Sequence, residues 1–339
     1  TAATHGDRMK TTTLVRVASE SIRKNTMRTL LTMLGIVIGV GAVIIMVAIG
    51  EGATSRIEEL RRWLADLVRA GLGNAPTSDE SFWATRAKRL VDAQLPGLAN
   101  RIARCHGHVA TRADWPVAVL RELGLVALAL EAHARQEALA PDELLDLARV
   151  LGTPQEKEGA EERVDDEWLC LGTRGDVTGA LNVQRAWFTG AASGRYAHVV
   201  AVAPAHMPLA PVGVPGRCER LALRFFPSAF PVRAFIDERL GEAPQRPCAD
   251  RAVASALEAQ AHALAADPWQ DGWPLEVAGR FARDATGAFW IRDDAGDALP
   301  LSPRERDAWL WLAVTGGERA RFALEWNGEH ATILHGWRA

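Results

Sequence analysis

From Thr29 to Gly50 the chain reads TLLTMLGIVIGVGAVIIMVAIG without a charged side chain. Twenty-two helical residues at about 1.5 Å each reach about 33 Å, enough for the hydrocarbon core of a bilayer, so the run is read as a transmembrane helix. A buried soluble helix seldom goes so long without charge, and a signal sequence has a shorter apolar core followed by a small-residue cleavage site. Lys10, Arg16, Arg23, Lys24 and Arg28 precede the run, whereas Glu51, Arg56, Glu58 and Glu59 follow it. The basic excess before the span places its N-terminus in the cytoplasm. Within residues 1–28, Leu14, Val15, Val17, Ala18 and Ile22 among basic neighbours read as an amphipathic helix at the interface. Gly35 and Gly39 strip bulk from one face of the span, so the expected partners are the lipid bilayer and a second membrane helix at that pair. A second charge-free stretch, Tyr196–Gly216, holds Pro204, Pro208, Pro211 and Pro215, and lipid cannot replace the donors those prolines lack.

Beyond Glu59 the character changes. Leu60, Trp63, Leu64, Leu67, Val68 and Leu72 recur at helical steps, and further helices are expected over Phe82–Leu95, halted by Pro96-Gly97, then Leu98–Cys105, Pro116–Gln136 and Pro141–Leu151. Glu156–Asp166 is acidic and reads as a linker or a solvated helix end. After it the period falls towards two, with strands expected over Trp168–Gly172, Asn182–Thr189, Arg195–Val202 and Arg220–Phe226. A helix over Ala252–Ala266 leads to a second β stretch: Phe289-Trp290-Ile291 and Ala298-Leu299 flank an Asp293–Asp297 turn, and Arg319–Trp326 and Ala331–Leu334 straddle Asn327-Gly328. The expected fold class is α+β, one N-terminal transmembrane helix, then a helical domain followed by a mostly β region. The divisions are 1–28, 29–50, 60–155, 165–245 and 250–339.

Lysine and arginine number 39 against 42 acids, a net charge of −3, so no nucleic-acid partner is expected from charge. Cys105, Cys170, Cys218 and Cys248 include no C-x-x-C pair, and Cys105-His106-Gly107-His108 is too local for a zinc site, so no metal ligands are assigned. Gly190–Gly194 lacks the central serine of a nucleophile elbow, the Asp293–Asp297 stretch lacks a calcium loop's closing Glu, and His330 and His335 form no H-E-x-x-H. No catalytic or cofactor-binding residue is assigned, and no cofactor is expected. Most of the 12 tryptophans sit in apolar patterns that fill core. Trp269 and Trp273, in a turn-like context with Pro274, are the expected exposed binding surface.

The run SIRKNTMRTLLTMLGIVIGVGAVIIMVAIGEGATSRIEE, Ser21–Glu59, resembles the start of the permease subunit of macrolide-exporter type ABC transporters, where an interfacial helix leads into the first membrane helix. The resemblance covers residues 9–59, with Met9 where such a permease would begin. The family's three further membrane helices do not follow it here, and no G-x-x-x-x-G-K-[ST] loop occurs. LRRWLADLVRAGL, FWATRAKRLVDAQLPGLANRI, DEWLCLG, VQRAWFTGAASGRYAHVVAVA and RLALRFFPSAFPVRA resemble the downstream region of bacterial SWIM zinc-finger family proteins, over residues 60–339, without the family's C-x-C…C-x-H motif. The two resemblances meet at Ile57–Leu60, which implies a fusion or chimera. The resulting expectation is a non-enzymatic binding or interaction protein with a protein partner for its soluble region, attached to a permease-type helix in the bacterial inner membrane. Its alternatives are a truncated permease subunit and an unrecognised enzyme in the β-rich half, and the alternative location is the cytoplasm if the N-terminal segment is not native.

Overall fold

The computed structural model describes residues 56–338 apart from 179, 304 and 306. Helix α1, over residues 56–70, buries Ile57, Leu60, Leu64 and Leu67 at three- and four-residue steps and turns Arg62, Asp66 and Arg69 outward. Four more helices follow: α2 (Glu80–Asp92), α3 (Pro96–Thr111), α4 (Trp115–Ala134) and α5 (Pro141–Leu151). Asp79 caps α2 by accepting a hydrogen bond from Ser81 N at 2.8 Å. The helices enclose one apolar core around Trp83, Leu90, Leu98, Ile102, Val119 and Val126. Where α3 crosses the end of α5 the backbones nearly touch, since a Cβ on Gly97 would lie 2.1 Å from Val150 O. Only glycine permits that approach.

A five-stranded closed barrel comes next: β1 (Glu162–Thr178), β2 (Leu181–Gly190), β3 (Tyr196–Pro204), β4 (Cys218–Phe225) and β5 (Arg233–Glu242). The order is β1-β2-β3-β5-β4, antiparallel throughout except at the β3–β5 seam, where His198 and Val199 pair in parallel with Arg233 and Ala234. Long β1 pairs with both β2 and β4 and carries a bulge between Cys170 and Gly172. This is the strand order of a Greek-key barrel of the OB type. Its interior holds Trp168, Phe188, Leu221, Leu223 and Phe225.

The third unit is a five-stranded sheet, ordered β10-β9-β6-β7-β8. Its strands are β6 (Trp273–Arg283), β7 (Phe289–Arg292), β8 (Ala298–Pro300), β9 (Ala320–Trp326) and β10 (Ala331–Arg338), with helices α6 (Val253–Ala266) and α7 (Ala308–Thr315). The Asp293–Asp297 turn joins β7 to β8 and also starts α6, because the Asp293 carboxylate accepts from both Asp297 N and Val253 N at 2.9 Å. Leu169, Leu171 and Trp187 of the barrel pack on Ala323, Leu334 and Trp337 of the sheet. A Cβ on Gly172 would lie 2.4 Å from the Leu334 Cβ, so the joint is close-packed there.

The fold is α+β with a helical first half and a β-rich second half, but the membrane helix in the expected class is corrected. Among the described residues no helix is long and apolar enough to cross a membrane. The longest of them, α4, carries Arg121, Glu122 and Glu131 and buries Val119, Leu123, Val126 and Leu130 in the bundle core. Thr29–Gly50, with Gly35 and Gly39, lies outside the described residues. Two smaller expectations also change. Pro96 opens α3 at its first turn, where a missing N–H costs nothing, instead of merely ending α2. The acidic segment expected as a linker contains the start of β1, whose Arg163 is held by Asp165, Asp237 and Glu238.

Candidate functional site

The barrel seam creates a site that no linear pattern contains. Strand pairing sets Gly172 opposite Trp187, Trp187 opposite His198, and His198 opposite Arg233, one row across four strands. In the adjacent row on the same face Arg174 stands opposite Arg185, because side chains alternate with period two. The Trp187 and His198 rings stack at 4.3 Å with an interplanar angle of 18°. His198 N donates to Val232 O at 2.7 Å, which fixes the seam beside Arg233.

This face floors a cleft of about 550 Å³ where the three units meet. Arg104 and Arg149 come from the bundle, Phe226 and Phe230 from the β4–β5 loop, Trp269 and Asp271 from the loop after α6, and Glu325 and Thr332 from the second sheet. Buried polar contacts hold the walls. Asp146 of α5, only 1% exposed, accepts from Ser228 Oγ at 3.0 Å and Ala229 N at 2.9 Å, tying bundle to barrel. Arg149 bridges Asp146 at 3.3 Å and Asp267 at 2.8 Å. Arg101 donates to Trp269 O at 3.1 Å and pairs with Glu122 and Asp271, and Arg104 pairs with the same two carboxylates.

Of the five arginines lining the cleft, four are neutralised. Arg104 meets Asp271 at 2.9 Å, Arg149 meets Asp267 at 2.8 Å, Arg174 meets Glu325 at 3.3 Å and Arg185 meets Asp176 at 2.6 Å. Arg233 has no carboxylate partner among the described residues and lies 5.8 Å from the Phe226 ring centre. Loss of hydration, then the like charges of Arg149 and Arg185, lower its pKa. Burial likewise raises Asp267, whereas for Asp271 burial is outweighed by Arg104 and Arg101, which hold it below the usual range. His198 Nε2 is buried without a hydrogen-bond partner.

Burial, with Arg233 and Arg185 adding repulsion, pushes the His198 imidazole down to about 3, so it is neutral in the fold. An unfolded imidazole takes up its proton near pH 6.5. Between those values the unfolded chain binds more protons, so this contribution is complete above about pH 6.5 and is lost as pH falls towards 3. From pH 6.5 to 5.5 the expected loss is about 1 kcal/mol. His198→Phe, which keeps the stack on Trp187, is expected to remove that share of the pH slope in urea unfolding; an unaltered slope would contradict the assignment.

Neither tryptophan expected at the surface is exposed. Trp269 is 9% exposed, lies in the bundle core and donates through Nε1 to Leu125 O at 3.2 Å, although it also reaches the cleft wall. Trp273 is 2% exposed, its ring edge-on to Tyr196, Phe230 and Trp187. The turn-like sequence around them is a connection running inside the molecule, between bundle and sheet. Cys105 is buried in α3, with its thiol pushed up to about 12 by burial, and His108 lies 3.8 Å from Glu122. Among the described residues no three His, Cys, Asp or Glu side chains are placed to hold a metal. The Gly190–Gly194 segment is a turn organised by Asp166, which accepts from Ala192 N, Ser193 N and Ser193 Oγ. Trp187 reads in the sequence as one of the core-filling tryptophans, and His198 and Arg233 carry no site signal there, because only barrel closure brings the three together.

Comparison with known proteins gives two partial similarities. Residues 51–151, which hold α1–α5, match the family model of the SWIM-associated four-helix bundle domain. The macrolide export ATP-binding/permease protein MacB of Rhodospirillum rubrum is 42% identical over 104 residues, 29% of this chain and 15% of that protein. MacB of Hyphomonas neptunium is 55% identical over 49 residues, 14% of this chain and 7% of that protein. The uncharacterized ABC transporter permease YknZ of Bacillus subtilis is 47% identical over 45 residues, 13% of this chain and 11% of that protein. No solved structure matches. The chain spans about 15% of the length of the first of these relatives, and its similarities to a SWIM-associated bundle and to a macrolide-export permease are both partial, the pattern of a chimeric chain.

Proposed function

We propose that residues 56–338 form a non-enzymatic interaction module whose cleft receives a protein partner. The observation that carries this reading is Arg233, which has no carboxylate partner among the described residues and is set among aromatic rings where bundle, barrel and sheet meet. A binding cleft combines apolar surface with placed polar groups, and this one sets Trp187, Phe226, Phe230 and Trp269 beside five arginines, of which Arg233 alone has no carboxylate partner among the described residues. Catalysis fits less well. Asp176, Asp267, Asp271 and Glu325 are each engaged by an arginine, and His198 is buried and neutral with no carboxylate to orient it among the described residues. The match to a SWIM-associated domain supports the same reading, since it supplies a helical scaffold for one cleft wall. OB-type barrels often use this face for oligonucleotides, but here carboxylates already occupy most of the arginines that a phosphate backbone would need.

A photo-crosslinking residue at Thr332, inside the cleft, in the full chain expressed in bacterial cells is expected to give a discrete protein adduct. The same residue at exposed Glu137 is expected to give none. Equal labelling at both positions, or none at Thr332, would overturn the reading.

A further inference from the structure

We infer that the cleft recognises an acidic peptide segment of its partner, seating one carboxylate on Arg233 with flanking apolar side chains against Trp187, Phe226 and Phe230. The inference rests on the cleft being a partner site and names what it selects. Three observations lead to it. Arg233 stands in register with His198 at the parallel seam, so barrel closure fixes its backbone position, while its side chain is exposed at the cleft where a ligand can reach it. The remaining arginines of the cleft are satisfied by carboxylates, which among the described residues leaves the Arg233 charge to attract a negative group. Arg149 and Arg185 lie near enough to depress the Arg233 pKa, and an incoming carboxylate relieves that repulsion while replacing lost hydration.

The apolar part of the cleft argues for a peptide over a bare anion. Phe226 and Phe230 stand on the β4–β5 loop FPSAFP, whose Pro227 and Pro231 stiffen it, and Asp146 anchors the same loop through Ser228 and Ala229. The rings are therefore presented on a preorganised edge beside the cation. A cavity of about 550 Å³ holds several side chains, far more than a single inorganic ion fills.

The test uses the full chain and three fluorescein-labelled probes: an acetylated octapeptide alternating leucine and glutamate, its leucine–glutamine counterpart, and a twelve-nucleotide oligothymidylate. Fluorescence anisotropy is expected to show binding of the glutamate peptide that weakens with salt, and at least about tenfold weaker binding of the glutamine peptide, the loss of a charge-assisted hydrogen bond. Arg233→Gln is expected to bind both peptides equally weakly, and Arg233→Lys to recover part of the preference. Arg233 has no carboxylate partner among the described residues and its charge is repelled by Arg149 and Arg185, so both variants should keep the parent's circular dichroism and neither should lower its urea midpoint. Equal affinity of Arg233→Gln and the parent for the glutamate peptide, or tighter binding of the oligonucleotide, would overturn the inference. If Thr332 still captures a partner while the peptides fail, the carboxylate seat is wrong and the interaction reading survives; if Thr332 also captures nothing, both fall.

Discussion

Trp83→Ala is expected to destabilise the helical bundle by about 3–5 kcal/mol, the usual cost of emptying a fully buried indole site. Trp83 is 0% exposed, and its ring meets Trp63 edge-on at 6.2 Å and Phe82 at 5.0 Å. Its Nε1 donates to Thr77 O at 2.8 Å, so the substitution both opens a cavity and frees a carbonyl in the loop before α2. Trp63 and Phe82 are themselves only partly buried and lean on Trp83, which limits how far the site can collapse. Urea unfolding followed by far-ultraviolet circular dichroism measures the effect. A loss below about 1 kcal/mol would mean that the bundle core is organised around other residues.

Asp146→Ala is the second large effect, at about 2–4 kcal/mol, and it acts on the assembly of the cleft instead of on one core. The carboxylate is 1% exposed and satisfies Ser228 Oγ, Ala229 N and Arg149 together. Alanine leaves the first two without their acceptor and leaves Arg149 to Asp267 alone. Asp146→Asn keeps an acceptor for the loop and should cost less, near 1 kcal/mol, through the weaker contact with Arg149. The loop carrying Phe226 and Phe230 is expected to loosen in Asp146→Ala, so trypsin should cut after Arg233 several times faster than in the parent. Unchanged cleavage would show that the loop is held from the barrel side and not by α5.

The bundle was legible because helices advertise themselves locally. In α5 the apolar spacing, the leading Pro141 and the closing Gly152 are all in the sequence, and the helix occupies Pro141–Leu151 as expected. Strands gave less. β5 turns much of its length to solvent, so Arg233–Glu242 shows only a faint alternation. β6 fails in the opposite way: Trp273 to Gly279 are buried on both faces, including Glu276, which accepts from Ala249 N at 2.7 Å, and the period of two is erased. In α7 the run AWLWLAVT is apolar on all sides and offers no helical stripe.

The candidate site was the least legible part. Arg233 and His198 lie on strands separated by a long loop and a hairpin, and they become neighbours only through a parallel pairing of two residues. No spacing rule announces such a seam. The tryptophans expected at the surface, Trp269 and Trp273, owe their turn-like context to Pro268, Pro274 and Gly272, residues that here shape an internal connection.

Hydrogen–deuterium exchange of the full chain, with and without the leucine–glutamate peptide, tests the central claim most directly. Binding in the cleft predicts slowed exchange in residues 184–200, 226–233 and 267–272, with the protection abolished by Arg233→Gln. Protection confined to the outer face of α4, where Val117, Leu120 and Leu128 are exposed, would contradict it and move the partner surface to the bundle.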